Sequence, residues 1–449
     1  MCVHCLSLCG ICCFLMLICK MIMIEQVKGK WRIMKVRIAV LLLALCFLLT
    51  ACVSEVQPSQ TNVTKTSPST TQPDFGATNA DDLKPMPGFD AQNKYLLTTF
   101  IGFQETDNFF CGTNSNGYYL QYYDKPSGIS GTLCANPACT HDSADCGACI
   151  EMDASLSFYD GKLYWIGKDS DGGNDFILWQ SDLSGMNRKE VVRLSYRDVI
   201  MEYQPQQFAI HRGRLYLRGY ANAVVGTQVG LRITLVSIPL DGSGELTVHY
   251  DESFANGVES TMRFVGNYVY FSVSVFKGIN NYDLTITRYN SRTGESMVIY
   301  EVTELDEAIG KIWVTEQGEV YLPTADADHA FVWKLENGKR VQILSWDEKD
   351  YNVPNIVDEI AVITGRTDGI RYIKVNSLDG TTIYDGMMFP KGISNMEGDP
   401  NVDYYLGIIG GDTNKIILNI EGMKVDGDYT IMLDLNNNLK PTILWSNQG

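Results

Sequence analysis

No Gly-x-Ser-x-Gly elbow, His-Glu-x-x-His pair or Gly-x-x-x-x-Gly-Lys loop occurs in the 449 residues. The short motifs of serine hydrolases, zinc peptidases and P-loop nucleotide enzymes are therefore missing. Basic residues are also in deficit, with Lys+Arg 36 against Asp+Glu 53 and a formal charge of −17. That balance argues against a nucleic-acid partner or an anionic surface reached by electrostatics. No long stretch carries a 3.6-residue apolar period, and strands do not alternate with helices, which counts against the usual solute-binding fold. Cysteine looks abundant at 13, but seven precede Cys52 and only five follow it.

The N-terminal region reads as export machinery. Lys35 and Arg37 precede an apolar run over 38–49, followed by Thr50-Ala51-Cys52. A basic start, a short apolar stretch and small residues before a cut site make a secretory signal. The run is shorter than the ~20 residues of a spanning helix. Leu49-Thr50-Ala51-Cys52 resembles the bacterial lipobox, and that resemblance implies a lipid-modified Cys52 anchoring the chain on the extracytoplasmic face of the cell membrane. Residues 1–33, apolar and carrying six irregularly spaced cysteines, do not fit a mature protein and read as a spurious extension before a start at Met34. Residues 34–51 are then the signal peptide. Residues 52–88 are the lipidated cysteine and a Ser/Thr/Pro/Gln-rich tether too poor in apolar side chains to offset ordering entropy. Six of the cationic residues and one acidic residue lie before Cys52, so the mature chain is more acidic than the whole.

From residue 89 the pattern is β throughout, and it repeats. Asp160-Gly-Lys-Leu-Tyr-Trp165, Arg212-Gly-Arg-Leu-Tyr-Leu217, Gly266-Asn-Tyr-Val-Tyr-Phe271 and Gln317-Gly-Glu-Val-Tyr-Leu322 share a turn and a strand. Gly161, Gly213, Gly266 and Gly318 recur at steps of 52, 53 and 52 residues. Weaker copies start at Asp107, Asp358 and Thr413. A second turn follows each, ending at Gly128, Gly185, Gly242, Gly294, Gly338, Gly380 and Asn438, residue types suited to positive φ. The expectation is an all-β fold, a β-propeller with seven four-stranded blades over 89–449; six or eight blades are the alternatives. Tight turns would close one face of the ring. Longer loops, including 168–175, 221–230, 324–329 and 421–428, would crowd the other, where a site is expected, or in the channel mouth.

The five remaining cysteines are Cys111, Cys134, Cys139, Cys146 and Cys149. Cys134, Cys139, His141 and Cys146 form C-x-x-x-x-C-x-H-x-x-x-x-C, a complete Cys3His donor set for a structural zinc. The alternative is disulfides, because an exported compartment is oxidising. An odd count leaves one thiol over, and a Cys111–Cys149 disulfide beside the four-residue metal site is one consistent solution; a reactive thiol is the third reading. The stretch Tyr122 to Ala148 resembles a segment of clostridia-type Firmicutes lipoproteins with TolB-like propellers, which implies architecture and location but no activity.

Other candidates are weaker. His211 and His249 sit beside strand positions and read as structural. His329 follows Asp326 and Asp328 and reads as part of a solvated loop. Asp169, Asp171, Asn174 and Asp175 are calcium-like in type but lack EF-hand spacing. The functional expectation is a membrane-anchored binding or scaffold module for an unidentified extracellular ligand or protein. The alternative is a glycan-active hydrolase or lyase with carboxylates gathered in the channel, recognisable by two acids and a His or Tyr converging there.

Overall fold

The computed structural model describes residues 79–95, 102–113, 119–141, 146–150, 156–168, 173–203, 205–347, 352–396, 398–402, 404–422 and 428–446, all within a compact unit spanning Asp74–Gly449. The signal region, Cys52, the tether as far as residue 78, and Asp169 and Asp171 lie outside the described residues. Seven antiparallel sheets form a ring, each built from consecutive strands in sequence order. They are blades 1 (103–132), 2 (156–194), 3 (205–254), 4 (258–305), 5 (308–346), 6 (355–387) and 7 (404–446). The expected seven-bladed propeller is the observed fold. The seven turns between third and fourth strands carry Gly128, Gly185, Gly242, Gly294, Gly338, Gly380 and Asn438, with φ between 49° and 95°. The turn residues read from the repeat therefore do occupy the left-handed region that glycine enters without cost.

Seven apolar clusters alternate with the seven blades, one filling each interface. Successive residues of a strand serve opposite interfaces. Ile360 and Val362 pack toward blade 7, whereas Ala361 and Ile363 pack toward blade 5. Ile416 and Leu418 face blade 6, and Ile417 faces blade 1. Because both faces of a blade are covered, its central strands read as unbroken apolar runs rather than as alternating ones. Blade 5 departs from the pattern. Its inner strand is split into Ala308–Ile309 and Trp313–Val314, both paired with Val320–Ala325. Opposite the break stands Pro323, which has no N–H to give to a ladder, and Lys311 sits in the resulting bulge.

Among the described residues no strand is shared between blades 7 and 1. Ring closure rests on side chains: Trp445 stacks on Phe103 at 5.6 Å and fills the space over Gly112, where a Cβ would come within 2.5 Å of the indole.

The second closing device is a strap, residues 79–95, lying on the tight-turn face. Asp82, 4% exposed, accepts from Asn267 (2.7 Å), Asn290 (3.1 Å) and the Arg292 guanidinium (3.0 Å) of blade 4. The amides of Asp160 in blade 2 and Arg212 in blade 3 donate to the Gly88 and Phe89 carbonyls at 2.7 and 2.8 Å. Gln92 exchanges two hydrogen bonds with the backbone of Glu105 in blade 1. Tyr95 is buried in the seam between blades 7 and 1. Gly266 has φ 58°, and a Cβ there would overlap the Asp82 carbonyl oxygen, so the strap can lie this close only over glycine. Residues 79–88 thus belong to the folded domain rather than to the tether. Polar atoms fasten them, which apolar density along the sequence does not register.

Candidate functional site

The thiol loop is assembled locally. After the last strand of blade 1, the Cys134 amide donates to the Thr132 carbonyl (2.8 Å). Asn136 then nucleates a turn, its side chain accepting from the Ala138 amide (3.0 Å) and its carbonyl from the Cys139 amide (3.1 Å). His141 takes positive φ, 57°, and Cys146 opens a turn closed by the Cys149 amide (2.9 Å). The Sγ atoms of Cys134, Cys139 and Cys146 and a ring nitrogen of His141 all lie within 4.8 Å of one another. Tetrahedral zinc bonds of ~2.3 Å to sulfur set ligand–ligand edges of roughly 3.8 Å, so the four donors need only a small contraction to close on an ion. The donor set therefore fits a metal and can hold one. Burial pushes the Cys146 thiol up to about 12. At Cys134 burial opposes ionisation, but the Asn136 backbone contact and the neighbouring thiols outweigh it and hold the group below the ordinary thiol value.

The loop is wedged against blade 2. Arg188 donates to the Cys149 carbonyl at 3.2 Å, and its guanidinium lies over the rings of Trp179 (4.3 Å) and Trp165 (5.5 Å). Cys111, Cys146 and Cys149 share the apolar core between blades 1 and 2. Among the described residues no disulfide joins Cys111, Cys134, Cys139, Cys146 or Cys149, the Cys111–Cys149 pairing included. Cys111 is completely buried, and burial alone raises its pKa, which makes it inert.

The channel mouth on the strap side is a cavity of about 980 Å³, lined by the strap and by Glu105, Trp313, Glu316 and Asp358 among others. Carboxylates and a tyrosine do converge beside it. Glu105 receives Lys94 (2.7 Å), Lys125 (2.7 Å), Lys415 (3.0 Å) and the Tyr95 hydroxyl (2.7 Å). Asp412 receives the same Lys94 (3.2 Å) and Lys415 (2.6 Å). Burial alone would raise the Glu105 pKa, but Lys125 and Lys94 outweigh it and hold the group at about 2. Asp412 is likewise held below its ordinary value, Lys415 and the Asn414 amide prevailing over burial. Both carboxylates are ionised and occupied. This is a charge clamp tying strap to blades 1 and 7, and a poor source of the raised-pKa acid that glycoside cleavage needs.

The histidines sort as their positions suggested. His211 is fully buried; its Nδ1 accepts from the Ala91 amide (3.2 Å) and its Nε2 meets the Gly266 carbonyl (2.8 Å), which fixes the Nε2–H tautomer. His249 bonds Ser237 (2.7 Å) and packs on Tyr216. His329 is exposed, and the Asp326 carboxylate beside it already accepts the Asp328 and His329 amides. Asp175 caps the Tyr196 amide.

One group lies outside every motif. Arg218 (blade 3) and Arg263 (blade 4) are 3% and 0% exposed, and Lys311 (blade 5) is half-buried. Burial first, then Arg263 and Arg218, bring Lys311 down to about 8; burial and Arg218 bring Arg263 down to about 9. A sequence clue exists in Thr261-Met-Arg-Phe-Val265, where a cation takes an interface position of an inner strand, but nothing marks the three as neighbours.

No protein-family model matches the sequence, and neither does any curated protein. Solved structures resemble the fold. They include a prolyl endopeptidase (12% identity, TM-score 0.48, covering 79% of this chain and 51% of that one). The acylaminoacyl peptidase of Pyrococcus horikoshii gives 13%, 0.46, 79% and 54%. The β-propeller domain of the Trilobed protease of Pyrococcus furiosus gives 9%, 0.45, 78% and 99%. The chain spans about half the length of the first two. At such identities the likeness concerns the propeller alone. Among the described residues no helix is long and apolar enough to cross a membrane. What stands is a seven-bladed β-propeller with a strapped channel mouth and one Cys3His loop able to hold a metal.

Proposed function

We propose that the chain is a membrane-anchored, extracytoplasmic binding or scaffold protein that engages its partner through the loop face opposite the strap. The observation that carries this is at the tips of the two longest hairpins. Arg214–Val225 and Gln228–Pro239 in blade 3, and Tyr268–Gly278 and Asn281–Asn290 in blade 4, run well beyond the other blades. Their tips present Val224, Val229 and Ile279, 79%, 78% and 96% exposed. Apolar side chains held on projecting rigid ribbons favour a contact surface over a solvated turn. Anchoring rests on the lipobox-like Leu49-Thr50-Ala51-Cys52 and on the resemblance to clostridia-type lipoproteins. Cys134, Cys139, His141 and Cys146 would hold a structural zinc with all four donors, pinning the connection between blades 1 and 2.

The test uses the full chain produced in a Gram-positive host. Detergent-phase partitioning and fatty-acid labelling should be lost in Cys52→Ala. Membrane-displayed protein is then probed with purified cell-wall glycan and with the host's extracytoplasmic proteins. Binding should fall at least tenfold in Val229→Asp/Ile279→Asp and persist in Glu316→Gln on the strap side. Binding indifferent to the hairpin tips, or glycan cleavage abolished by Asp358→Asn, would overturn the proposal in favour of the enzyme.

A further inference from the structure

We infer that Arg218, Arg263 and Lys311 form an oxyanion-binding site between blades 3, 4 and 5, built to take the carboxylate or phosphate group of a small ligand. This goes beyond the binding-face reading and does not use the hairpin tips, so either can fail alone.

The three cations come from three successive blades, and one side-chain contact runs from blade 3 to blade 4 and another from blade 4 to blade 5. The Nη1 of Arg218 reaches across from blade 3 to the carbonyl of Ser260, on the inner strand of blade 4, and lies 3.4 Å from its Oγ. Arg263 follows three residues later on that strand. Its guanidinium sits 5.9 Å from the ring of Trp313 in blade 5, two residues beyond Lys311. The Nε and Nη2 of Arg218 are buried and have no hydrogen-bond partner. Among the described residues neither Arg218 nor Lys311 forms an ion pair. The acid that acts on both, Glu259, is itself exposed. A guanidinium stays charged under burial, so a buried Arg218 with two unpartnered nitrogens and no ion pair is among the costlier arrangements a fold can carry. Two planar guanidinium groups beside an ammonium match the oxygens of a carboxylate or phosphate, and such charge-assisted bonds are the strong ones. Half-buried Lys311, raised out of the inner strand by the bulge opposite Pro323, gives the site its opening to solvent.

The full chain is titrated with inorganic phosphate, sulfate, citrate and acetate, with chloride balancing ionic strength. Melting temperature and titration calorimetry are followed in parallel. The inference expects a saturable rise of about 2–4 °C with at least one oxyanion and no such rise with chloride. The phosphate and citrate arms separate a phosphorylated ligand from a carboxylate one. Lys311→Met, at a half-buried position that should fold, and Arg218→Met should each weaken the oxyanion about tenfold. Both should also melt higher than the wild type in chloride alone, because a repulsion has been removed. Equal responses to oxyanions and chloride, or variants that keep the wild-type response, overturn the inference. Arg263→Met is the third variant; should it not fold, the other two still decide.

Discussion

Acidification should unfasten the strap at His211. The folded protein needs this ring neutral, because Nδ1 accepts the Ala91 amide and Nε2–H serves the Gly266 carbonyl. A proton added to Nδ1 would set donor against donor. Burial accordingly pushes the His211 pKa down to about 4, against the opposing pull of Asp90. An unfolded chain binds the same proton near 6.5. Between those values unfolding takes up a proton, so stability falls as pH drops from 6.5 to 4 and levels off below. A difference of roughly 2.5 units corresponds to about 3 kcal/mol. The assay is urea unfolding at half-unit pH steps, on the wild type and on His211→Gln, with amide exchange of residues 86–95 alongside. His249, depressed to about 4 by burial, titrates in the same window, so the informative quantity is the difference between the two proteins. That difference should shrink by about 3 kcal/mol from pH 7 to pH 4, and exchange at Ala91 should accelerate in the wild type before the blades open. Parallel pH curves for wild type and His211→Gln would refute the reasoning.

The seam and the clamp give further tests. Gly112→Ala places a methyl against Trp445 and should cost about 1–3 kcal/mol in urea unfolding, with the loss concentrated in blades 1 and 7 by amide exchange. Glu105→Gln leaves Lys94, Lys125 and Lys415 facing one another without their shared counter-charge and should cost about 3 kcal/mol at pH 7. Because the Glu105 pKa is depressed to about 2, that penalty is fully present above the unfolded carboxylate value near 4.5 and should fade as pH falls toward 2. Purified full chain should carry one zinc by elemental analysis. Cys139→Ser or a strong chelator should remove it and lower the melting temperature. Absence of zinc in a preparation with reduced thiols would end the metal reading.

The repeat was legible because a propeller writes its period twice, in the spacing of strands and in the turn positions that need positive φ. The Cys3His loop was legible because its four donors lie within thirteen residues of sequence and local turns bring them together. What lay hidden is held by polar atoms over long separations. Residues 79–88 look like tether, since Asp82 and the Gly88 carbonyl are worth little until Asn267 and Arg292 of blade 4 and Asp160 of blade 2 are brought to them. Arg218, Arg263 and Lys311 are each an ordinary cation in sequence and become a cluster only when the ring closes. The same reasoning bears on how the ring stays closed. Among the described residues no strand is exchanged between the first and last blades, and such a ring has its weakest seam there, between Trp445 and Phe103. The strap crosses that seam through Lys94, which grips Glu105 in blade 1 and Asp412 in blade 7 with one ammonium. Any load entering through the chain before Asn79 must break the Asp82–Arg292 pair on blade 4 before it reaches Lys94. The clasp therefore lies downstream of a sacrificial bond, and pulling on the N-terminal side should strip the strap from blade 4 first and open the ring last.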